Sequence, residues 1–402
     1  MREAAAPVHP EERHLLIDAL RGFALAGVLL ANLGYLSLYE LMTEAERAAL
    51  PTSTFDAFGV QLMEWLVNIK AITVFSLLFG LGFAVQIERA GARGEAGLGR
   101  FLRRLFWLAV IGALHAYLLW WGDILLIYAV IGLVLVLFRR APDALLLWGG
   151  LFIAVLLPTL LQPWMGWTNL HVTRAEIYAS TLQALLGEDP RQAFLSNARM
   201  ANWSHLANWT LFCFVLGRFL IGYWAGRRGL LQRPMEHRAL LVRLLWITAA
   251  LAIVSMASLH LIGTHAAWPR EGAGRVVRGA LLRLGPLAMG CAYAIAFALL
   301  FLRPRWVRWL GVLAPVGRMA LTLYLLQSLI GVVLFYGIGF GIGPWRGVAV
   351  WWLAWLLIFG AQIAASHWWL ARFRYGPCEW AWRSLTYGAW QPMRLPRLQP
   401  VL

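Results

Sequence analysis

A histidine inside an apolar run, followed eight residues later by an acid, is an arrangement that can move a proton. His115 and Asp123 stand in this relation, separated by a Trp120-Trp121-Gly122 corner. An imidazole titrates near neutrality, and a carboxylate on one ring nitrogen fixes the tautomer and leaves the other nitrogen to act as a general base. His115 is therefore the candidate catalytic base and Asp123 its orienting acid. The same residues admit a plainer reading, in which Asp123 caps the next helix and His115 is a hydrogen-bonded packing residue.

A second set of polar residues is marked out by cost. A charged side chain at the centre of a membrane helix is unfavourable by roughly 2.5–3.5 kcal/mol on insertion scales, so such residues face protein or a water-lined cavity. Asp18 and Arg21, three residues apart at the start of the first apolar run, share a helical face and can pair. Asn32 follows Arg21 by eleven residues, about three turns, and faces the same way. Arg318, Thr322, Tyr324, Gln327 and Ser328 lie in one apolar run at spacings that need two faces. From these we take Asp18, Arg21, Asn32, Arg318 and Gln327 as candidates for substrate binding. Arg218 and Arg283 are further intramembrane cations with no partner identifiable from spacing. His367, with Gln362 and Ser366, reads better as a satisfied core histidine than as a base. Lys70, the single lysine of the chain, reads as a residue snorkelling to the interface.

The elements that must position these side chains are apolar helices. Apolar residues make up 61% of the 402 positions and charged residues 13%, about half the charged share of a soluble domain. A span needs roughly 20 residues to cross about 30 Å of hydrocarbon. Runs of that order, rich in Leu, Ala and Trp and not alternating, call for helices and not barrel strands. About ten spans follow: Leu15–Leu36, Asn68–Ile87, Phe101–Trp121, Ile124–Phe138, Ala144–Leu161, Leu206–Trp224, Ala239–Ile262, Ala280–Leu302, Leu310–Phe335 and Arg346–Leu370. The fold expected is an all-α, polytopic transmembrane helix bundle. It divides into an N-terminal half, residues 1–205, and a C-terminal half, residues 206–402.

The formal charge of +16 sits in short arginine clusters at the ends of these runs, which is a topology signal and not a nucleic-acid-binding face. One set of connections carries Arg89, Arg93, Arg100, Arg103 and Arg104, then Arg139 and Arg140, then Arg227 to Arg243, then Arg303 to Arg308; the alternate set is acidic or sparse. Both termini are therefore expected in the cytoplasm. The basic connection holding Arg270, Arg275 and Arg278 runs against this parity. Glu11 and Glu12 precede the first run, which lacks a small-residue cleavage site and reads as a retained span. The three cysteines form no metal spacing and no disulfide framework. The one long external segment, Gln162 to His205, contains Thr168, Asn169, Glu176 and a Glu188-Asp189-Pro190 turn between helical stretches, and a connection of this length is commonly a functional loop or lid. Tyr375 to Arg394, rich in Trp and with Glu379 four residues before Arg383, should lie along the cytoplasmic interface. No phosphate-binding loop, dinucleotide fingerprint, nucleophile elbow or zinc-protease motif occurs.

Asp18-Ala19-Leu20-Arg21-Gly22-Phe23-Ala24-Leu25 with Leu30-Ala31-Asn32 resembles the opening of the YeiB family of bacterial membrane proteins. The likeness continues through Phe75-Ser76-Leu77-Leu78-Phe79-Gly80, Gly112-Ala113-Leu114-His115 and Gly122-Asp123-Ile124-Leu125 with Tyr128. It is densest in Gly317-Arg318-Met319-Ala320-Leu321-Thr322, Tyr324-Leu325-Leu326-Gln327-Ser328 and Tyr375-Gly376-Pro377-Cys378-Glu379-Trp380-Ala381-Trp382-Arg383. The resemblance covers essentially the whole chain and implies a multi-pass protein of the bacterial inner membrane whose C-terminal half is a domain of unknown function. The first span is also similar to those of type-3 acyltransferases and heparan-glucosaminide acetyltransferases, which implies acyl groups taken from cytoplasmic acyl-CoA and passed to sugars across the membrane. This chain departs from both. Type-3 enzymes place a histidine where Asn32 stands, and heparan acetyltransferases place theirs where Thr43 stands. Leu323 stands where the YeiB family tends to have asparagine.

Two functions are consistent with these residues. The first is an acyltransferase moving an acyl group from acyl-CoA to an extracytoplasmic glycan or small molecule, with no metal and no nucleic acid, His115 serving as base. The second is a small-molecule transporter or exporter in which the buried charges line a path. The absence of a detectable inverted repeat favours the enzyme. Reporter fusions after Arg140, Arg238 and Arg394 should read as cytoplasmic and a fusion at Asp189 as external; an external reading at Arg394 would mean a miscounted span.

Overall fold

The computed structural model describes residues 15–91, 95–162, 172–264, 268–269 and 271–395. Glu11, Glu12, Arg93, Thr168, Asn169 and Arg270 lie outside these. The described residues contain no strand and form fifteen principal helices joined by turns: α1 Leu15–Leu36, α2 Ser53–Leu66, α3 Lys70–Gly91, α4 Glu95–Leu114, α5 Leu125–Phe138, α6 Leu145–Leu161, α7 Arg174–Leu186, α8 Pro190–Ala207, α9 Trp209–Arg227, α10 Arg238–Thr264, α11 Gly272–Phe301, α12 Pro304–Arg318, α13 Ala320–Phe335, α14 Gly347–Leu370 and α15 Pro377–Tyr387. Among the described residues, seven helical stretches are long and apolar enough to cross a bilayer, α2 and α3 counting as one stretch. The bent pair α12–α13 makes an eighth, and α5 and α6 are shorter apolar helices. These are the ten apolar segments expected from sequence, and the chain is a polytopic α-helical membrane protein.

Three boundaries differ from expectation for physical reasons. The second segment begins in α2, and its break falls at Ile69, whose φ of 69° is left-handed and rarely adopted by a β-branched residue. The eighth begins at Gly272, so Arg275 and Arg278 lie on a helix and not in a loop. Arg275 donates to the carbonyl of Thr159 at 3.0 Å, and Arg283 donates to Thr159 Oγ1 at 3.2 Å and to the carbonyl of Gly279 at 2.9 Å. The basic connection is thus partly accounted for as caps on the end of α6. The ninth segment is broken at Met319, where α12 and α13 meet at 79°.

Close helix crossings are made at glycines. A Cβ on Gly317 would stand 1.8 Å from the carbonyl oxygen of Asp18, and one on Gly22 would stand 2.2 Å from that of Leu313. The backbones of α1 and α12 therefore touch, which only residues without side chains permit. α3 and α9 meet in the same way, Gly80 against Phe219 and Gly222 against Leu77. Three of the sequence motifs that carry the family resemblance, Asp18–Leu25, Phe75–Gly80 and Gly317–Thr322, thus take part in these backbone contacts.

The other intramembrane cations are satisfied without acids. Arg218, 1% exposed, donates to Thr73 Oγ1 at 2.8 Å and to the carbonyl of Phe214 at 3.1 Å. Lys70 does not snorkel: it is 5% exposed and its ammonium donates to the carbonyl of Glu64 at the end of α2. His367 is exposed on α14, not a core residue, and its Nε2 donates to the carbonyl of Val312 at 3.0 Å. The long segment expected to be external holds the helices α7 and α8, which pack on each other with the Tyr178 ring against that of Trp203. Thr173 and Glu176 form a capping box at the start of α7, and Asp189 with Pro190 caps α8, as residues of these types do.

Candidate functional site

α4 does not end as a regular helix. Its last turn, His115–Leu119, widens so that the amide of Trp120 donates to the carbonyl of His115 five residues back, at 2.8 Å. Single wide turns of this kind recur at functional sites because they re-aim one side chain out of the helical register. Here the side chain is His115, 3% exposed. Its Nδ1 lies 2.8 Å from Oδ2 of Asp123, whose other oxygen accepts the amide of Leu126 at 2.7 Å. Both readings of Asp123 from sequence therefore hold at once: one oxygen caps α5 and the other holds the imidazole. Nδ1 is the ring nitrogen that faces the carboxylate, and Nε2 is buried with no hydrogen-bond partner among the described residues.

The ring of Tyr324, on α13, lies 5.1 Å from that of His115. Tyr324 is also part of the wall of a cavity of about 470 Å³. Along α1 the cavity is lined from Asp18 to Val28, ten residues, or about 15 Å of helix. Its inner part is apolar: Leu25, Val28, Ile72, Phe75, Leu108, Ile124 and Leu125, closed by Tyr128 and Tyr324. Tyr128 is held by its hydroxyl, 2.5 Å from Ser76 Oγ. The mouth is charged, with five arginines, Arg21, Arg104, Arg318, Arg374 and Arg383, against two carboxylates, Asp18 and Glu379. Asp18 is spoken for by Arg21 at 2.9 Å.

Glu379 is occupied as well. Its Oε1 accepts the amides of Leu321 at 2.7 Å and Thr322 at 3.0 Å, and its Oε2 accepts the Thr322 hydroxyl at 2.5 Å. The break at Met319 frees the first amides of α13, and this carboxylate from α15 takes them, a favourable place for negative charge. The turn before α15 fits closely: a Cβ on Gly376 would lie 2.2 Å from Glu379 Oε2. Two of the three motifs densest in family resemblance, Gly317–Thr322 and Tyr375–Arg383, are thus one structural unit at the mouth. α15 is fastened on its other side to α4, where the indole of Trp382 donates to the carbonyl of Arg104 at 2.9 Å and carries the Arg104 guanidinium 4.2 Å over its ring.

Of the residues proposed from sequence, His115 and Asp123 are in direct contact, and Asp18, Arg21 and Arg318 line the mouth. Asn32 and Gln327 line no part of this cavity. Asn32 is half-buried, and Gln327 is buried with its amide donating to Gln362 Oε1 at 2.8 Å. Sequence reasoning missed Tyr324 as the link between cavity and histidine. It also missed Arg104, Arg374 and Arg383 as mouth residues, having read Arg104 as a topology signal and Arg383 as part of an interfacial tail, and having given Arg374 no role. Glu379 carried a local signal, four residues before Arg383, that pointed away from its partners on α13.

A family model described as a protein of unknown function, DUF418, matches residues 225–389. The chain is 31% identical to the uncharacterized protein YxaH of Bacillus subtilis over 96% of this chain and 97% of that protein. It is also 31% identical to the uncharacterized protein YeiB of Escherichia coli, over 95% and 98% of the two chains. An uncharacterized 39.9 kDa protein from Bacillus acidopullulyticus is 28% identical over 97% and 99%. No solved structure matches.

Burial raises the Glu379 carboxyl above its ordinary range, against the lowering effect of its hydrogen bonds to Thr322 and Leu321. A carboxyl whose folded value lies above its unfolded value contributes stability at low pH that is lost as pH rises from the unfolded value, about 4.3, through the folded one. The melting temperature of the wild type should therefore carry a component that falls over that interval, and Glu379→Gln should flatten it. An unchanged pH profile in the variant would show that the carboxyl is not buried against α13.

Proposed function

The chain belongs to the family of membrane proteins that includes YeiB and YxaH, and from that premise we propose that it is a membrane-embedded acyltransferase of the bacterial inner membrane. Acyl-CoA is the donor, taken from the cytoplasm, and an extracytoplasmic glycan or small molecule is the acceptor. One observation carries this reading: a cavity with an arginine-rich mouth and apolar walls ends at Tyr324, and Tyr324 packs on the His115–Asp123 pair.

The chemistry follows from charge and depth. Phosphates of the donor are attracted by the excess of guanidinium groups at the mouth, where water is partly excluded and each contact is strengthened. About 15 Å of cavity lies between that mouth and the level of Val28, room for an extended arm to bring a thioester toward Tyr324. At the inner end His115 Nε2 takes the proton of an acceptor hydroxyl or amine as its oxygen or nitrogen bonds to the thioester carbonyl carbon. The carbon–sulfur bond then breaks, and the departing thiolate recovers the proton from the imidazolium. Asp123 stabilises that imidazolium and holds the ring with Nε2 as the free nitrogen. Positioned proton transfer of this kind contributes about 10²–10⁴-fold in rate.

His115→Ala should lower transfer from labelled acetyl-CoA by at least about 100-fold per folded molecule while leaving donor binding largely intact, because a base acts on the transition state more than on ground-state binding. Asp123→Asn should reduce it less completely, since the imidazole remains. The assay is transfer normalised to folded protein in nanodiscs. Full normalised activity in His115→Ala, or losses in both variants that only track folded yield, would remove the acyltransferase reading in favour of transport without chemistry.

A further inference from the structure

The external side of His115 is covered by α8, and one side chain does the fastening. Asn197, 5% exposed, accepts the amide of Trp121 through Oδ1 at 2.8 Å and donates from Nδ2 to the carbonyls of Ala116 at 3.0 Å and Tyr117 at 3.1 Å. The two carbonyls belong to the wide turn at the end of α4, where helix carbonyls lack a helical partner, and the Trp121 amide lies just beyond it. A single amide on another helix, some 80 residues away, thus closes the turn that carries His115. At the rim of this contact the Tyr117 hydroxyl donates to Asn202 Oδ1 at 2.9 Å.

Beneath this clamp are three buried polar atoms without a hydrogen-bond partner among the described residues: His115 Nε2 and the indole nitrogens of Trp120 and Trp121. The three residues are 3%, 1% and 7% exposed, and their rings are consecutive neighbours, 6.3 Å and 5.9 Å apart. Buried polar atoms are rarely left unbonded, and three on neighbouring rings at the end of α4 call for a partner. Their chemistry specifies that ligand. Nε2 accepts, so it calls for an O–H or N–H; the two indoles donate, so they call for oxygen acceptors on the same molecule.

We propose that the wide turn of α4 and the face of α8 above it form the acceptor subsite, with Asn197 the latch that closes it over an oxygen-rich compound arriving from the external side. This rests on the acyl-transfer reading for its use, and assigns Asn197 a positioning role, not a catalytic one. Donor and acceptor then reach His115 from opposite faces, the donor past Tyr324 and the acceptor under α8. Release of the latch frees the two carbonyls and one amide to water at the external surface, so opening costs three modest hydrogen bonds and not a desolvated charge.

The test is labelling of His115 by diethyl pyrocarbonate, which attacks an unprotonated imidazole nitrogen, followed by peptide mass spectrometry of the full chain in nanodiscs. Asn197→Asp keeps the acceptor for Trp121 but removes both donors, and should speed labelling of His115 about tenfold, through a larger open population. Tyr117→Phe removes only the rim bond and should speed it about threefold; it preserves the buried clamp, so it carries the test if Asn197→Asp accumulates poorly. Unchanged labelling of His115 in the folded variants, or equal acceleration at histidines remote from α8, would overturn the latch. The readout needs no acyl transfer. Faster labelling in a protein inactive with acetyl-CoA would keep the subsite and discard the donor chemistry; transfer activity with no effect of Asn197→Asp on labelling would do the reverse.

Discussion

Hydrocarbon offers a freed backbone group nothing to bond, and each one left unsatisfied costs several kcal/mol. This bundle nevertheless interrupts its helices, and five of the interruptions are met by a side chain. The Lys70 ammonium takes the Glu64 carbonyl at the end of α2. Asn197 takes the carbonyls at the end of α4. Asp123 and Glu379 take the first amides of α5 and α13, and Asp56, 0% exposed, takes the Val348 amide at the start of α14 at 2.8 Å. Cations and amide donors serve helix ends, and carboxylates serve helix starts, as the direction of the helix dipole requires. Removing any one of these side chains leaves both its backbone partners and the local helix break without support.

The site is a by-product of these breaks. A continuous α12–α13 helix would leave Arg318 and Tyr324 on a single straight rod; the 79° bend at Met319 instead lets Arg318 line the mouth while Tyr324 closes the inner end. A regular last turn in α4 would turn His115 by a fraction of a residue away from Asp123; the wide turn brings Nδ1 to 2.8 Å. In the proposed reading, the apolar walls between the arginine mouth and Tyr324 have few polar atoms to compete for a bound chain, so charge at one end and the imidazole behind Tyr324 at the other would distinguish one end of a ligand from the other.

Much of this was legible in the sequence, and the limits were those of distance along the chain. Ten apolar segments and the Glu188-Asp189-Pro190 turn between helical stretches follow from local composition. The His115–Asp123 contact was accessible because eight residues and a Trp-Trp-Gly corner leave a helix end and a helix start facing each other. Glu379 with Leu321, Asn197 with Trp121 and Arg218 with Thr73 were not, because each joins residues 58 to 145 positions apart and nothing local marks the partner. Lys70 was misread for a related reason: near a span end, hydropathy favours the interface, and only the break at Ile69 turns the ammonium back toward a bare carbonyl.

The claim that joins these parts is that one cavity carries a donor from an arginine mouth to a histidine. It is tested most directly by a structure determined in nanodiscs with a non-hydrolysable thioether analogue of acetyl-CoA. The phosphates should lie among Arg104, Arg374 and Arg383, with the thioether sulfur beside Tyr324 at the level of His115. An analogue bound outside this cavity, or with its sulfur left at the arginine mouth, would contradict it.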